Sequence, residues 1–271
     1  MKNYTIVFDN QCAVCSIGVK TLKKIGVMGD NNTIELNAFE QNKMACNVDS
    51  QRACNEMAVI DQETLEVSYG YDGYVNLVSL KSERLGRVMA KKWVKYLFNP
   101  FYVFFASNRR VIAPLQESGT VCQPELKKGY RLFLIAFMAL FAGTVTYFKG
   151  EILNSTNGFE FLNGWKLITI TGLGWLLTGI FYKNKNKWDY WGNLSVIAGT
   201  AILLQFLGLI GYYFIPDFYW VVGTMLASDF IMLWMHYRRV KLLGVSQKYT
   251  FRWWLILHLS ATGLMALYYF N

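Results

Sequence analysis

From Leu132 onward the chain carries five apolar segments, about Leu132–Phe148, Trp165–Tyr182, Asn193–Ile215, Phe218–His236 and Trp253–Phe270. Each is close to the roughly 20 residues that a spanning helix needs. Hydrocarbon offers no partners for backbone N–H and C=O groups, so such segments can only be helices or closed barrels. Their length and continuous apolar character select helices. Residues 132–271 are therefore expected to form an all-α transmembrane bundle of about five helices. Only Pro216-Asp217 separates the third and fourth segments, which makes them a tight helical hairpin. Trp165, Trp188, Trp191, Trp220, Trp253 and Trp254 lie at or near segment ends, where aromatic belts form.

Charge placement supports this division. The net charge is +9. Through Arg131 there are seventeen basic and thirteen acidic residues, and after it ten basic and five acidic. A charge-poor, cationic second half is a membrane-loop pattern rather than a nucleic-acid footprint. Lys127, Lys128 and Arg131 precede the first segment. Lys183, Lys185 and Lys187 face Asp189 in the second loop, and Arg238, Arg239, Lys241, Lys248 and Arg252 fill the fourth. The first loop, with Lys149 and Lys166 against Glu151 and Glu160, is neutral, and the third has only Asp217. This alternation predicts an integral protein of a bacterial inner (plasma) membrane, with the amino terminus cytoplasmic and Asn271 outside. The opening MKNYTIVFD reads as a strand rather than a signal peptide. At 54% hydrophobic residues, with mean hydropathy +0.22, the chain is too apolar for disorder.

Residues 1–125 read differently. Tyr4–Phe8 (YTIVF) is a buried strand, broken by Asp9-Asn10-Gln11. Cys12 to about Gly26 has helical spacing, and Gly26 suits a C-cap. Thr33–Phe39 alternates as a strand, Glu40–Asn55 is helical in part, and Met57–Asp61 and Val67–Tyr69 are strands. Tyr71–Leu80 is a helix. The resulting order of elements is that of an α/β thioredoxin-like core. Over 81–110, Lys81, Arg84, Arg87, Lys91, Lys92 and Lys95 alternate with Leu85, Val88, Met89, Trp93, Val94, Leu97 and Phe98. This basic amphipathic stretch suits either an anionic membrane surface or a solvated face packed on the small domain.

Cys12-Ala13-Val14-Cys15 follows the first strand and opens the first helix. Unpaired N–H groups and the helix dipole stabilise a thiolate there. Two intervening residues put both sulfurs on one turn. The expected roles are Cys12 as exposed nucleophile and Cys15, one turn deeper, as resolving thiol. Ala13 and Val14 add no positive charge, which points to a less oxidising dithiol. Other readings remain open. The pair is half of a zinc site with Cys46 and Cys54, or it packs in the core. Cys46 and Cys54 otherwise read as ordinary thiols. Five cysteines, Cys122 being the fifth, exclude a fully paired disulfide framework within the chain.

The run Asp9-Asn10-Gln11-Cys12-Ala13-Val14-Cys15 resembles the D-x-x-C-x-x-C signature of the DCC family (DUF393), predicted thiol-disulfide oxidoreductases. Tyr102–Arg109 (YVFFASNR) resembles the family's Tyr-…-Ala-x-Asn-Arg segment, and Cys122-Gln123-Pro124 its closing cysteine element, with a shorter gap. The similarity covers roughly Lys2–Pro124. It implies a thioredoxin-like fold and dithiol chemistry, with Asp9, Cys12 and Cys15 as signature residues. Asn10 stands where the family has Gly, and Asn tolerates left-handed backbone angles. No Pro precedes Met57–Asp61, where thioredoxins place a cis-proline. Asp9 either shapes the turn and caps the helix, or serves as a general base for Cys15.

Within the spans, Asp229 is the one acid well inside an apolar segment, and His258 lies at a similar depth. The two are candidate cofactor-binding residues, for protons or a quinone. Alternatively they act, like Gln205, as interhelical glue. His236, beside Arg238, is expected at the interface. No phosphate loop, hydrolase triad or clear metal motif is present, and no cofactor is otherwise implied. The spans contain no cysteine, so thiol relays across the bilayer are excluded. The sequence thus predicts a membrane-anchored thiol-disulfide oxidoreductase acting on protein disulfides. The alternatives are a thioredoxin-like scaffold that has lost exchange chemistry and a quinone-linked redox protein.

Overall fold

The computed structural model describes residues 3–29, 31–38, 46–114, 124–155, 163–180, 182 and 187–243. The chain divides into two compact units between Tyr130 and Arg131.

The first unit is built on four strands: β1 (Tyr4–Phe8), β2 (Thr33–Glu35), β3 (Ala58–Asp61) and β4 (Val67–Tyr69). Their order in the sheet is β2-β1-β3-β4. β1 runs parallel to β2 and antiparallel to β3, and β3 and β4 are antiparallel. Successive side chains of β1 point to opposite faces. Ile6 packs with Val19, Leu22, Val59 and Leu77 on one face. Val7 packs with Ile34, Ala53, Ala58 and Ile60 on the other. The central strand is therefore covered on both sides, which explains its unbroken apolar run.

Helices follow the expected order: α1 (Ala13–Lys24), α2 (Ser50–Asn55) and α3 (Gly70–Lys81). Gly26 has φ +71°, as its place just beyond the α1 C-terminus requires. Asp49 caps α2 by accepting from the Arg52 N–H at 2.9 Å. The second strand is shorter than its alternation suggests and ends at Glu35, after a three-residue pairing with β1. The basic stretch expected over 81–110 is two helices, α4 (Glu83–Met89) and α5 (Lys92–Ile112). Ser82 breaks the path by capping α4 at the Leu85 N–H.

The second unit is helical throughout its described residues. α6 (Lys128–Asn154), α7 (Gly164–Ile180), α8 (Lys187–Phe214) and α9 (Phe218–Leu242) fall on the first four expected segments. The fifth, Trp253–Phe270, lies outside the described residues. Among the described residues two helices, α6 and α8, are long and apolar enough to cross a membrane. α7 has 17 residues, and α9 carries Asp229, Arg238, Arg239 and Lys241. α8 and α9 form the expected hairpin. Asp217 caps α9 at the Tyr219 N–H, and the Trp220 indole N–H donates to the Gly208 carbonyl at 3.0 Å. A side chain at Gly208 would collide with Thr224, at 2.6 Å, so glycine lets these two helices close.

Gln205 makes interhelical hydrogen bonds, one of the two roles expected of it. Its side-chain oxygen accepts from Lys149 Nζ at 2.6 Å, and its amide donates to Ser228 Oγ at 2.6 Å. This chain of bonds ties α6, α8 and α9, and Asp229 lies within electrostatic reach of Lys149. Lys149 had read as a loop cation. His258, the expected partner of Asp229, lies outside the described residues. His236 does not reach outward as expected beside Arg238: it is only 1% exposed and meets the Tyr190 hydroxyl at 3.2 Å. Tyr190, itself stacked on Tyr182, supplies the buried polar contact that lets an imidazole sit inside the bundle.

Candidate active site

β1 ends by delivering Asp9, 4% exposed, at the mouth of α1. The Asp9 carboxylate accepts from the Gln11 N–H at 3.2 Å, and its carbonyl accepts from the Cys12 N–H at 3.1 Å. Asp9 is thus the turn former, one of the roles expected of it. The cap position itself belongs to Cys12. Asn10, in the family's glycine position, bonds Glu35 at 2.7 Å and fastens the turn to β2. None of the described non-glycine residues with positive φ lies in this turn, so Asn10 is accommodated without a left-handed backbone.

Cys12 and Cys15 are both free thiols. Their exposure is the reverse of expectation. Cys12 is fully buried, at 0% exposure, and Cys15 is half-buried. The reason is the turn: the hydrogen bond from the Cys12 N–H to Asp9 folds the cap residue inward, against the charged groups below it. Acidity nevertheless favours Cys12. Its pKa is lowered to about 6, chiefly because the Cys15 thiol donates a hydrogen bond to it. Burial opposes this, and the Cys15 backbone N–H and the Arg109 charge add to it. Asp9 acts against the thiolate, as a carboxylate must. The Cys15 thiol is pushed strongly up, first because its proton is held in the bond to Cys12 and then by burial.

The positive charge missing from Ala13-Val14 arrives from α5. Arg109 Nη2 lies 3.5 Å from Asp9 Oδ2 and donates to the Cys54 carbonyl at 2.6 Å. Arg110 Nη2 is also 3.5 Å from Asp9 Oδ2, with about a fifth of its side chain exposed. Two guanidiniums thus share one carboxylate beside the thiol pair, leaving the cluster net positive before Cys12 ionises. Asn108, next to them, donates to the Phe104 and Tyr130 carbonyls and holds the end of α5 in register.

Tyr102, about two turns before Arg109, accepts the Met57 N–H at 3.1 Å. It also meets Tyr74 edge to face, with ring centroids 5.8 Å apart. Tyr74 in turn lies over α1: a side chain at Gly18 would meet its hydroxyl at 3.7 Å. The backbone donor just before β3 is therefore occupied by a tyrosine, and no described peptide bond is cis. Gly70 makes room for this arrangement. Its φ is +59°, and a β-carbon there would lie 2.9 Å from the Tyr102 ring. Tyr102→Phe is expected to strand the Met57 N–H and to cost roughly 1–3 kcal/mol. Chemical denaturation of the full chain checks this, and an unchanged midpoint would contradict the assigned bond.

The remaining cysteines correct two readings. Cys54 is disulfide-bonded, not an ordinary thiol. It cannot complete a zinc site with Cys12 and Cys15, and Cys46 is an exposed free thiol. Among the described residues no group of three His, Cys, Asp or Glu is arranged to hold a metal. Cys122 lies outside the described residues.

Residues 6–113 match the family model described as DCC1-like thiol-disulfide oxidoreductase. The match spans Asp9, Cys12, Cys15, Tyr102 and Arg109, the groups that converge on the site. It supports the DCC family for this part of the chain and a thiol-disulfide redox role. Searches of curated proteins and of solved structures returned no match.

Proposed function

We propose that this chain is a membrane-anchored thiol-disulfide oxidoreductase with a thioredoxin-like catalytic unit. The observation that carries the reading is a Cys-x-x-Cys pair at a helix amino terminus whose first sulfur is acidified by the second and by a buried arginine. The Cys12 thiolate attacks one sulfur of a protein disulfide and forms a mixed disulfide, releasing the other substrate sulfur as thiolate. The Cys15 thiol loses its proton and attacks Cys12 Sγ, releasing the second substrate thiolate. Two electrons pass to the substrate, and Cys12 and Cys15 are left as a disulfide that a cellular dithiol reduces. The burial of Cys12 means that substrate must open the site. Arg110, partly exposed and within electrostatic reach of Cys12, is the group that moves.

Asp9 acts here as the counter-ion that positions Arg109 and Arg110. The helices α6 and α8 support anchoring, and the loop charges support a cytoplasmic site with Asn271 outside. Asp229 and the Lys149–Gln205–Ser228 chain serve to bind the helices together. The test is reduction of a peptide disulfide by the pre-reduced full chain in lipid. Two thiols appear in the substrate for each Cys12–Cys15 disulfide formed, and no thiol release ends the reading.

A further inference from the structure

α5 has two faces with different business. Val94, Asn108, Arg109 and Val111 are buried in the first unit. Trp93, Leu97, Phe101 and Phe105 are each more than half exposed. These four are spaced by four residues, so they form one ridge along the helix, roughly 18 Å long at 1.5 Å per residue. Tyr96, 85% exposed, and Phe98 flank it. A surface this apolar and this continuous marks a contact site.

The chemistry around the ridge identifies what covers it. Lys91 and Lys92, which precede Trp93 in the chain, are exposed at its amino-terminal end. Lys95 is held by Asp72 at 2.7 Å and is less available to an outside anion. Trp and Tyr rings next to lysines are the composition of a helix lying in a headgroup layer. We propose that the α5 ridge docks into the interfacial layer of a leaflet containing anionic lipid, with Lys91 and Lys92 on the lipid headgroups. This rests on the anchoring part of the proposed function, since α6 and α8 are what bring a bilayer to the chain. It goes further in one respect. The same helix that would lie on the membrane carries Arg109 into the thiol site, so docking would fix the position of a charge that acidifies Cys12.

The full chain is reconstituted into liposomes of phosphatidylcholine with phosphatidylglycerol, with or without lipids brominated near the headgroup. Trp93→Phe, at an exposed position, isolates the Trp93 emission by difference from the other tryptophans. The expected result is that bromination cuts the Trp93 contribution by roughly half, as for an interfacial ring. Lys91→Glu with Lys92→Glu, or pure phosphatidylcholine, returns it towards the unbrominated value. If the other tryptophans are quenched and Trp93 is not, docking is overturned and anchoring stands. Equal Trp93 quenching in pure phosphatidylcholine and in the double variant overturns the anionic preference. A chain that stays outside the liposomes overturns anchoring, and docking with it.

Discussion

Cys15→Ser protein, reduced and mixed with a peptide disulfide, is expected to accumulate one covalent adduct per chain and to release one substrate thiol. Cys12→Ser is expected to accumulate none. The asymmetry follows from the two sulfurs' environments. Cys12 is the acidic member of the pair, and the thiolate is the attacking species. Cys15 keeps its proton until Cys12 is tied up in a mixed disulfide. In Cys15→Ser, Cys12 loses the thiol that most lowers its pKa but keeps the Arg109 charge and the helix amino terminus, and the serine hydroxyl cannot displace the bound substrate. Turnover stops after one half-reaction, and mass spectrometry reads the adduct directly. An adduct on Cys15 in the Cys12→Ser protein, formed as fast as the Cys12 adduct, would mean that exposure decides the nucleophile and acidity does not. That result would reverse the assigned roles, because Cys15 is the more accessible sulfur in the structure.

The second large effect is expected at Arg109. Its side chain and that of Asp9 are both about 5% exposed. Removing Arg109 leaves Asp9 with Arg110 alone and takes the donor from the Cys54 carbonyl, a loss at the lower end of the roughly 3–5 kcal/mol for breaking a buried pair. Arg109→Met should therefore lower the melting temperature of the first unit by about 10 °C, at roughly 3–5 °C per kcal/mol for a unit between the small and the large domain classes. It should also raise the Cys12 pKa, because the Arg109 charge favours the thiolate. Adding Asp9→Asn should restore part of the lost stability, since the buried carboxylate, left with Arg110 alone, is then gone. It should bring the Cys12 pKa back down, because Asp9 opposes ionisation. A single Arg109→Met substitution that left both melting temperature and thiol acidity unchanged would remove Arg109 from the account.

How much of this was legible in the sequence depends on how far apart the interacting residues lie. Local patterns were readable. The alternation of elements from Tyr4 to Lys81, the turn at Asp9, the glycine after α1 and the hairpin at Pro216-Asp217 each depend on a few adjacent residues, and each is found where expected. The thiol pair was legible for the same reason. The burial of Cys12 was not, because it depends on a backbone bond to Asp9 and on a helix about one hundred residues away. Arg109 stands 100 residues from Asp9. Only the family-like Tyr102–Arg109 segment hinted that α5 belongs to the site, with nothing to say that Arg109 faces Asp9 or that Tyr102 takes the Met57 N–H. Lys149 misled for a physical reason. A lysine at the end of an apolar run normally snorkels to water, and here Gln205 draws it inward instead. His236 misled in the same way, through Tyr190.

The thiolate titration of Cys12 tests the central claim most directly. The Cys15→Ser variant is unsuitable, because it removes the thiol that acidifies Cys12, so the wild-type chain is used in its reduced form. Ultraviolet thiolate absorbance is followed against pH, with Cys12→Ser subtracted. The folded-state value is depressed, so the thiolate fraction should rise as pH increases through about 6, and the rate of disulfide reduction should rise with it. An unperturbed cysteine titrates near roughly 8.5. A Cys12 transition at that ordinary value, with a rate that climbs only above neutrality, would contradict the account.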